Sequence, residues 1–461
     1  MPSTSEAFTP RPVHLLVLLH GMWGSPIHLA ETKRIYDEVR GQEDSIAGPN
    51  GELLRIIVPE TNKESNTYDG IDWCGERVAD EVAAEIEKLQ ERGETVTRFS
   101  VTGYSLGGLI ARYLVGILHQ RKFFDKITPV NFTTVATPHI GMILFPTFRS
   151  KLFLALGSRL LSRTGEQFYA MDKWSTNGRP LLEVMADPDR FFFQGLALFP
   201  HIRFYANVVN DVTVPYLTAA AETEDVFAGH EYNGITIELD EQYAPLIKSY
   251  TLPAVPASPP PPPKTFSKEW FKSLHPPLPP LLQRKFPWNI LVLVALPILI
   301  PTFMSLVVVR LSLDARKSRS RIKLLEKDES YRERFAHVVA ELEKRVEDAV
   351  ADYIDDTSGA ITSALSDPSS ETIVGSQPPA KDKDNTEHAD AIASAKQAQI
   401  TPSQRKIVTW LNKLPNLKKE LVYIHPIMNA HAVIIARDVV RFEHHKQGQA
   451  VLRHMADNFV M

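Results

Sequence analysis

One cysteine, Cys74, stands in the whole 461-residue chain. That excludes an internal disulfide framework and a cysteine-rich metal site. No charge of one sign dominates, since 51 Lys plus Arg face 55 Asp plus Glu for a net charge of −4. Such a balance offers no general attraction to nucleic acid, and none is expected as a partner. The apolar run in the opening MPSTSEAFTPRPVHLLVLLHG is too short, and too closely preceded by prolines, for a secretory signal. This end is therefore expected to begin in the cytosol. Apolar residues are not lacking: 44% of the chain, against 23% charged, suffices for a large core. Two features are in excess, 34 prolines and one long uncharged apolar stretch.

From residue 12 to about 216 the pattern is α/β. Short apolar runs at 14–19 and 53–58 suit buried parallel strands, and 99–103, 131–135 and 202–209 read as further strands. Between them, 73–89 carries an apolar stripe at Val78, Val82, Ile86 and Leu89 and reads as a surface helix. A second helical stretch, 106–118, follows a strand directly. Strands alternating with helices predict a mainly parallel sheet covered on both faces.

Composition then changes. Residues 253–280 hold 11 prolines and read as a polyproline linker. Residues 287–309 contain no charge over 23 positions, long enough to cross a hydrocarbon core. Arg310, Arg316, Lys317, Arg319, Arg321 and Lys323 follow, a basic flank suited to anionic headgroups. A charged helix is expected next, then a polar tract with too little apolar content to fold. The last residues fold again, with a strand at 421–424 and an amphipathic helix at 447–459. The expected division is a core of residues 1–250, a linker 251–286, an anchor 287–309, a charged helix 310–355, a disordered tract 356–400 and the rest of the core, 401–461.

Gly103-Tyr104-Ser105-Leu106-Gly107 matches G-x-S-x-G at the junction of a strand and a helix. There the chemistry needs a sharp turn that lifts a serine hydroxyl from the sheet edge, with small residues on either side. Ser105 is the expected nucleophile. The helix that begins after it points its dipole at a forming oxyanion. His20-Gly21-Met22-Trp23-Gly24 ends the first strand, so the amides of Met22 and Leu106 are the expected oxyanion hole. His20 falls too early in the chain to be the base, and Cys74 reads as a packing residue.

For this arrangement the order is serine, then acid, then histidine. Asp211, in a turn after the strand FYANVVN, is the expected acid, with Asp172 as the alternative. His431, after a strand and a loop beside an apolar stretch, is the first choice of base. His444 or His445 stays open as the second, while His454 lies inside a helix and His139 precedes the acid. No metal or organic cofactor is expected, because no ligand cluster stands at the usual spacings.

Topology constrains the apolar segment. A single crossing by 287–309 would put Ser105 and Asp211 on one side of a bilayer and every candidate base on the other. The expectation is an anchor that enters and leaves on one face, as a hairpin bent at Pro297 and Pro301, or as an interfacial helix. A single span and a soluble packed segment remain the other readings. Residues 142–161, apolar with interspersed basic residues, are either a lid over an acyl pocket or a sheet-covering helix.

Six motifs occur in order: HGMWGS (20–25), NTYDGIDWCGERV (66–78), VTGYSLGGLIARY (101–113), NFTTVATPHIG (131–141), NDVTVP (210–215) and AVLRHMADNF (450–459). Together they resemble a fungal lipase and serine esterase family that includes lipid-droplet phospholipases of yeast. The resemblance implies an α/β-hydrolase fold, with a long membrane-proximal insertion between the acid-bearing and histidine-bearing strands. It implies hydrolysis of fatty acyl esters of glycerolipids through an acyl-enzyme, with Ser105, Asp211 and His431 in the family's catalytic positions. It also implies a membrane-associated protein facing the cytosol, at a lipid droplet or the endoplasmic reticulum. A protein or acyl-CoA thioesterase would use the same chemistry, an acyltransferase would admit an acceptor in place of water, and a lipid-anchored scaffold would use none of it.

Overall fold

The computed structural model describes residues 10–40, 48–143, 156–175, 177–254, 267, 288–329, 331, 333, 334, 338, 400–427 and 429–461, and of residues 288–294 and 296 only the backbone. Six strands form the main sheet: β1 (Arg11–Leu19), β2 (Leu53–Ile57), β3 (Glu94–Tyr104), β4 (Thr128–Val135), β5 (His201–Asn207) and β8 (Leu417–Val422). Their order is β2-β1-β3-β4-β5-β8, and each neighbouring pair is parallel. A mixed α/β fold around a mainly parallel sheet is thus observed, consistent with an α/β-hydrolase.

The run of β1 shows why it lies inside. Val13, Leu15, Val17 and Leu19 pack into one apolar cluster, and Leu16 and Leu18 into the cluster on the opposite face. A strand with two buried faces must be apolar throughout, which is what LLVLL supplies. On the first face lie α2 (Ile71–Glu91) and α3 (Leu106–Gln120). On the other lie α1 (Ala30–Arg40) and α9 (Gly448–Asp457).

Several expectations need correction. Helix α2 is a surface helix along its second half, where Val82 and Leu89 of the stripe are buried among exposed residues, but its start is buried all round: Ile71, Trp73 and Cys74, and with them Asp72 and Glu76. Those two acids are tolerated because Arg163 and Arg121 pair with them. β3 begins at Glu94, five residues earlier than expected, because its first half, Glu-Thr-Val-Thr-Arg, is mostly polar and shows no apolar run. β8 lies at 417–422 rather than 421–424, since as an edge strand it carries Lys418, Lys419 and Glu420. A hairpin of β6 (Thr236–Leu239) and β7 (Ile247–Thr251) has no counterpart among the expected strands.

Three shorter helices, α4 (Ser162–Phe168), α5 (Leu181–Ala186) and α6 (Phe191–Ala197), separate β4 from β5. After β7, the described chain resumes as α7, Trp288–Leu325, one helix that continues through Pro297 and Pro301. No hairpin turn interrupts it. The two prolines stand four apart, so both missing amides fall on one side of the helix and leave the rest of the ladder intact. α8 (Pro402–Leu411) then leads to β8, opened by a reciprocal capping box between Thr401 and Gln404.

β8 returns beside β5 although more than 200 residues separate them in the chain, with Ile202 opposite Leu417 and Asn207 opposite Val422. The expected proline-rich linker, the end of the charged helix, the disordered tract and the centre of the lid segment lie largely or wholly outside the described residues.

Candidate active site

Ser105 sits between β3 and α3 with φ 56° and ψ −123°, a conformation costly for a residue with a Cβ. Two close approaches impose it. A Cβ on Gly103 would collide with the backbone of Gly107 and Gly108, and one on Gly107 with the carbonyl oxygens of Leu19 and His20. The glycines therefore serve different contacts, one across the turn and one against the end of β1. The Ser105 amide donates to Val135 O at 2.9 Å, which fixes the turn to β4.

His431 follows β8 in a one-turn helix, Ala430–Val433. Its Nε2 lies 3.2 Å from Ser105 Oγ, and its Nδ1 lies 3.0 Å from Asp211 Oδ2. A carboxylate only accepts, so Nδ1 carries the proton and Nε2 turns its lone pair to the serine hydroxyl. Ser105, Asp211 and His431 are each more than nine-tenths buried.

Asp211 is held at both oxygens. Its Oδ1 accepts from the amides of Thr213 (3.0 Å) and Val214 (2.8 Å), and its Oδ2 accepts from Asn207 Nδ2 at 2.9 Å as well as from His431. The acid-bearing and histidine-bearing loops are also stitched through their backbones. Asn210 O accepts from Ala430 N at 2.9 Å, and Asn210 Nδ2 donates to Ile424 O at 3.0 Å. Tyr104, just before the serine, donates its hydroxyl to His431 O at 2.9 Å. Asn207, Asn210 and Tyr104 were missed in the sequence, although the ND turn and the tyrosine inside G-x-S-x-G were on view.

Met22 and Leu106 stand on separate elements near this serine. Leu106 is the first residue of α3, whose leading amides have no partner within the helix. Met22 lies inside a turn closed by Gly24 N donating to Gly21 O at 3.0 Å. Gly21 faces the serine so closely that a Cβ there would stand 2.8 Å from Ser105 Cβ.

The other candidates lie elsewhere. Asp172 Oδ2 accepts from Leu181 N at 2.8 Å, and burial pushes its carboxyl up to about 7. His445 Nδ1 accepts from Asp438 N at 3.0 Å, while His444 stands exposed beside it. His454 Nδ1 meets Tyr205 OH at 2.8 Å, inside α9. His20 Nδ1 meets Gly21 O at 3.0 Å, and burial lowers its pKa. His139 is fully buried, stacked on Phe204 at 3.8 Å, and desolvation keeps it well below its ordinary value. Cys74 is buried, and desolvation pushes its thiol up to about 11.

Among the described residues, one group brings metal-ligating atoms together: His230, Glu231 and His425 place one ligand atom each within 4.8 Å of one another. Their positions are nearly 200 residues apart in the chain, so spacing could not have revealed the group. Glu231 and His425 are exposed.

Residues 9–223 match a family model described as "Putative serine esterase (DUF676)". Ser105 and Asp211 fall inside that match and His431 beyond it. The chain is 29% identical over 256 residues to "Putative lipase C4A8.10" of Schizosaccharomyces pombe, covering 51% of this chain and 31% of that protein. It is 26% identical over 247 residues to "Putative lipase ROG1" of Saccharomyces cerevisiae, covering 52% of this chain and 33% of that one. The chain thus spans about a third of the length of these curated relatives. Among solved structures, one titled "The crystal structure of the putative cell surface hydrolase from Lactobacillus plantarum WCFS1" is similar at 14% identity and a TM-score of 0.25, covering 45% of this chain and 74% of that one. That likeness is too slight to bear on the fold. The relatives do not single out a lipid-droplet phospholipase; the likeness is to proteins described as serine esterases and lipases in general.

Proposed function

We propose that the protein hydrolyses fatty acyl esters of glycerolipids through a Ser105 acyl-enzyme at a lipid surface. One observation carries the reading: Ser105 Oγ, His431 and Asp211 form a continuous relay at 3.2 and 3.0 Å on a strained strand-to-helix turn. His431 Nε2 takes the hydroxyl proton as Ser105 Oγ attacks the acyl carbonyl. Asp211 holds the imidazole in the tautomer that can do so and stabilises the imidazolium that results. The amides of Leu106 and Met22 are the donors for the oxyanion. The imidazolium then protonates the departing glycerol oxygen, and water enters through the same base to release the fatty acid.

The lipid substrate rests on two supports. The relatives are named lipases. In addition, residues Pro297–Leu325 of α7 are long and apolar enough to cross a membrane, with little of that stretch buried against the rest of the chain. The same helix argues for attachment from one side. Asp211 precedes it, His431 follows it, and the two side chains touch. Both flanks of α7 therefore face one aqueous compartment, taken here as the cytosol. An unbroken helix set into one leaflet, or into the monolayer of a lipid droplet or the endoplasmic reticulum surface, meets that demand without a hairpin.

Fatty acid release from mixed micelles of phospholipid, and separately of mono- and triacylglycerol, tests the reading. Wild-type turnover lost in both Ser105→Ala and His431→Ala is the expected result. Equal release by all three proteins, or none by the wild type on any substrate, would overturn it.

A further inference from the structure

Trp23 is an expensive residue. It holds φ 54°, in a region that bulky side chains avoid, yet 53% of its surface is exposed. Its amide donates to Thr67 Oγ1 at 3.2 Å, and its indole N–H donates to Tyr68 OH at 2.7 Å. A strained aromatic kept at the surface by two hydrogen bonds adds little to the core. It lies two residues from Gly21, which packs on Ser105, inside the turn that also holds Met22.

The same segment receives α7. Arg321 donates to both carboxylate oxygens of Asp69, at 3.1 and 2.9 Å, and to Ser65 O at 2.7 Å. Ala315, Ser318 and Ile322 form the buried face of the helix, spaced for one side of it. Between this dock and Trp23 runs an open groove of about 860 Å³. Trp23 and Tyr68 form one wall, and Leu306, Val309 and Leu313 of α7 form the other.

The position of the groove along α7 identifies what fills it. Towards the N-terminus of the helix, Ile298, Leu299, Ile300 and Phe303 are all exposed and apolar. Towards the C-terminus come Arg310, Arg316 and Lys317. A helix lying along the interface sets its apolar side chains in hydrocarbon and its basic ones among headgroups. The groove has both kinds in its lining, with Arg310 and Lys317 beside Leu306, Val309 and Leu313, a mixture suited to the level of glycerolipid ester bonds. Its volume lies within the range of small-molecule sites.

We infer that this groove binds one acyl chain of a membrane-resident glycerolipid and delivers its ester to Ser105 past Trp23. The anchor helix is thereby one wall of the substrate site as well as an attachment. The inference rests on the serine hydrolase reading and deepens it.

Labelling of Ser105 by a butyl and a dodecyl fluorophosphonate separates the two ideas. Ser105 Oγ bonds to phosphorus, fluoride leaves, and the hydroxyl proton passes to His431. The full chain in dioleoyl phosphatidylcholine vesicles is the sample, and the ratio of dodecyl to butyl labelling rates is the readout. Trp23→Ala and Leu313→Glu, both at half-exposed positions, should lower that ratio at least tenfold. Leu324→Glu, on the same helix beyond the groove and 68% exposed, should keep the wild-type ratio. A ratio within twofold of wild type in both groove variants would overturn the inference, as would an equal fall in the Leu324 control. Wild-type protein labelled by neither probe would instead overturn the serine hydrolase reading beneath it.

Discussion

Replacing Asp211 with asparagine removes one charge and almost no volume, so its effect can be worked out atom by atom. Oδ1 faces two backbone amides, those of Thr213 and Val214, which have no choice but to donate. The new side chain must therefore keep its oxygen there and turn its NH2 group to the Oδ2 position. That group then faces His431 Nδ1 and Asn207 Nδ2. Asn207 can adapt by turning its amide over, because its Oδ1 is buried with no partner. His431 can adapt only by moving its proton to Nε2, where it points at Ser105 Oγ. The imidazole then offers the serine a donor where an acceptor is needed. Loss of the correct tautomer costs roughly 10⁴-fold in kcat where it has been isolated, about 5.5 kcal/mol of barrier. The folded state should lose only about 1–2 kcal/mol, since all four contacts survive, those to Asn207 and His431 with the donor reversed. Hydrolysis of p-nitrophenyl butyrate gives kcat, and calorimetry of the same preparation gives Tm. An Asp211→Asn protein with an unchanged Tm and more than a tenth of wild-type kcat would refute the tautomer argument.

Other perturbations have equally definite outcomes. Gly107→Ala drives a Cβ into the Leu19 and His20 carbonyls, which cannot move without β1, so urea titration should show a loss of about 3 kcal/mol or more. Tyr104→Phe removes the hydrogen bond to His431 O and should cost about 1 kcal/mol, with a fall in kcat larger than any change in KM. Burial raises the Asp172 carboxyl to about 7, against roughly 4 when unfolded. Between those values the folded state keeps a proton that the unfolded state has lost, so the contribution is full at low pH and lost as pH rises through 7. Asp172→Asn should therefore raise Tm at pH 8 and change it little at pH 4. Arg321→Ala removes one of two guanidinium groups from the buried Asp69 carboxylate, the other belonging to Arg77. Trypsin should then cut at 316–323 about tenfold faster, in keeping with a local cost of about 1–2 kcal/mol.

The interior strand β1 was legible in the sequence because burial on both faces forces a continuous apolar run. Edge strands were not. LKKELV of β8 has a charged, incompletely buried middle, so its start was read four residues late and its end two. The proximity of Ser105 to Asp211 and His431 could be anticipated from chain order and turn chemistry; their roles belong to the proposal. Partners that depend on loops meeting in space, such as Asn210 with Ala430 or Trp23 with Tyr68, leave no periodic trace. Prolines in α7 suggested a bend, yet two at a spacing of four share one side, and the helix runs through. Burial of Asp72 and Glu76 in α2 was hidden for a related reason. Their arginines lie far along the chain, and an acidic stripe without its partners reads as solvent-facing.

The pairing of β5 with β8 has a consequence for how the protein comes into being. A ribosome adding roughly 5–20 residues per second needs about 10–40 s to travel from one of these strands to the other. Throughout that interval the emerging chain contains Ser105, Asp211 and β5, while the strand that pairs with β5 and His431 have not yet been added. On the proposed function, the emerging chain is thus silent toward any lipid it meets during synthesis. A chain halted before residue 417 would carry the proposed nucleophile and acid but not the proposed base.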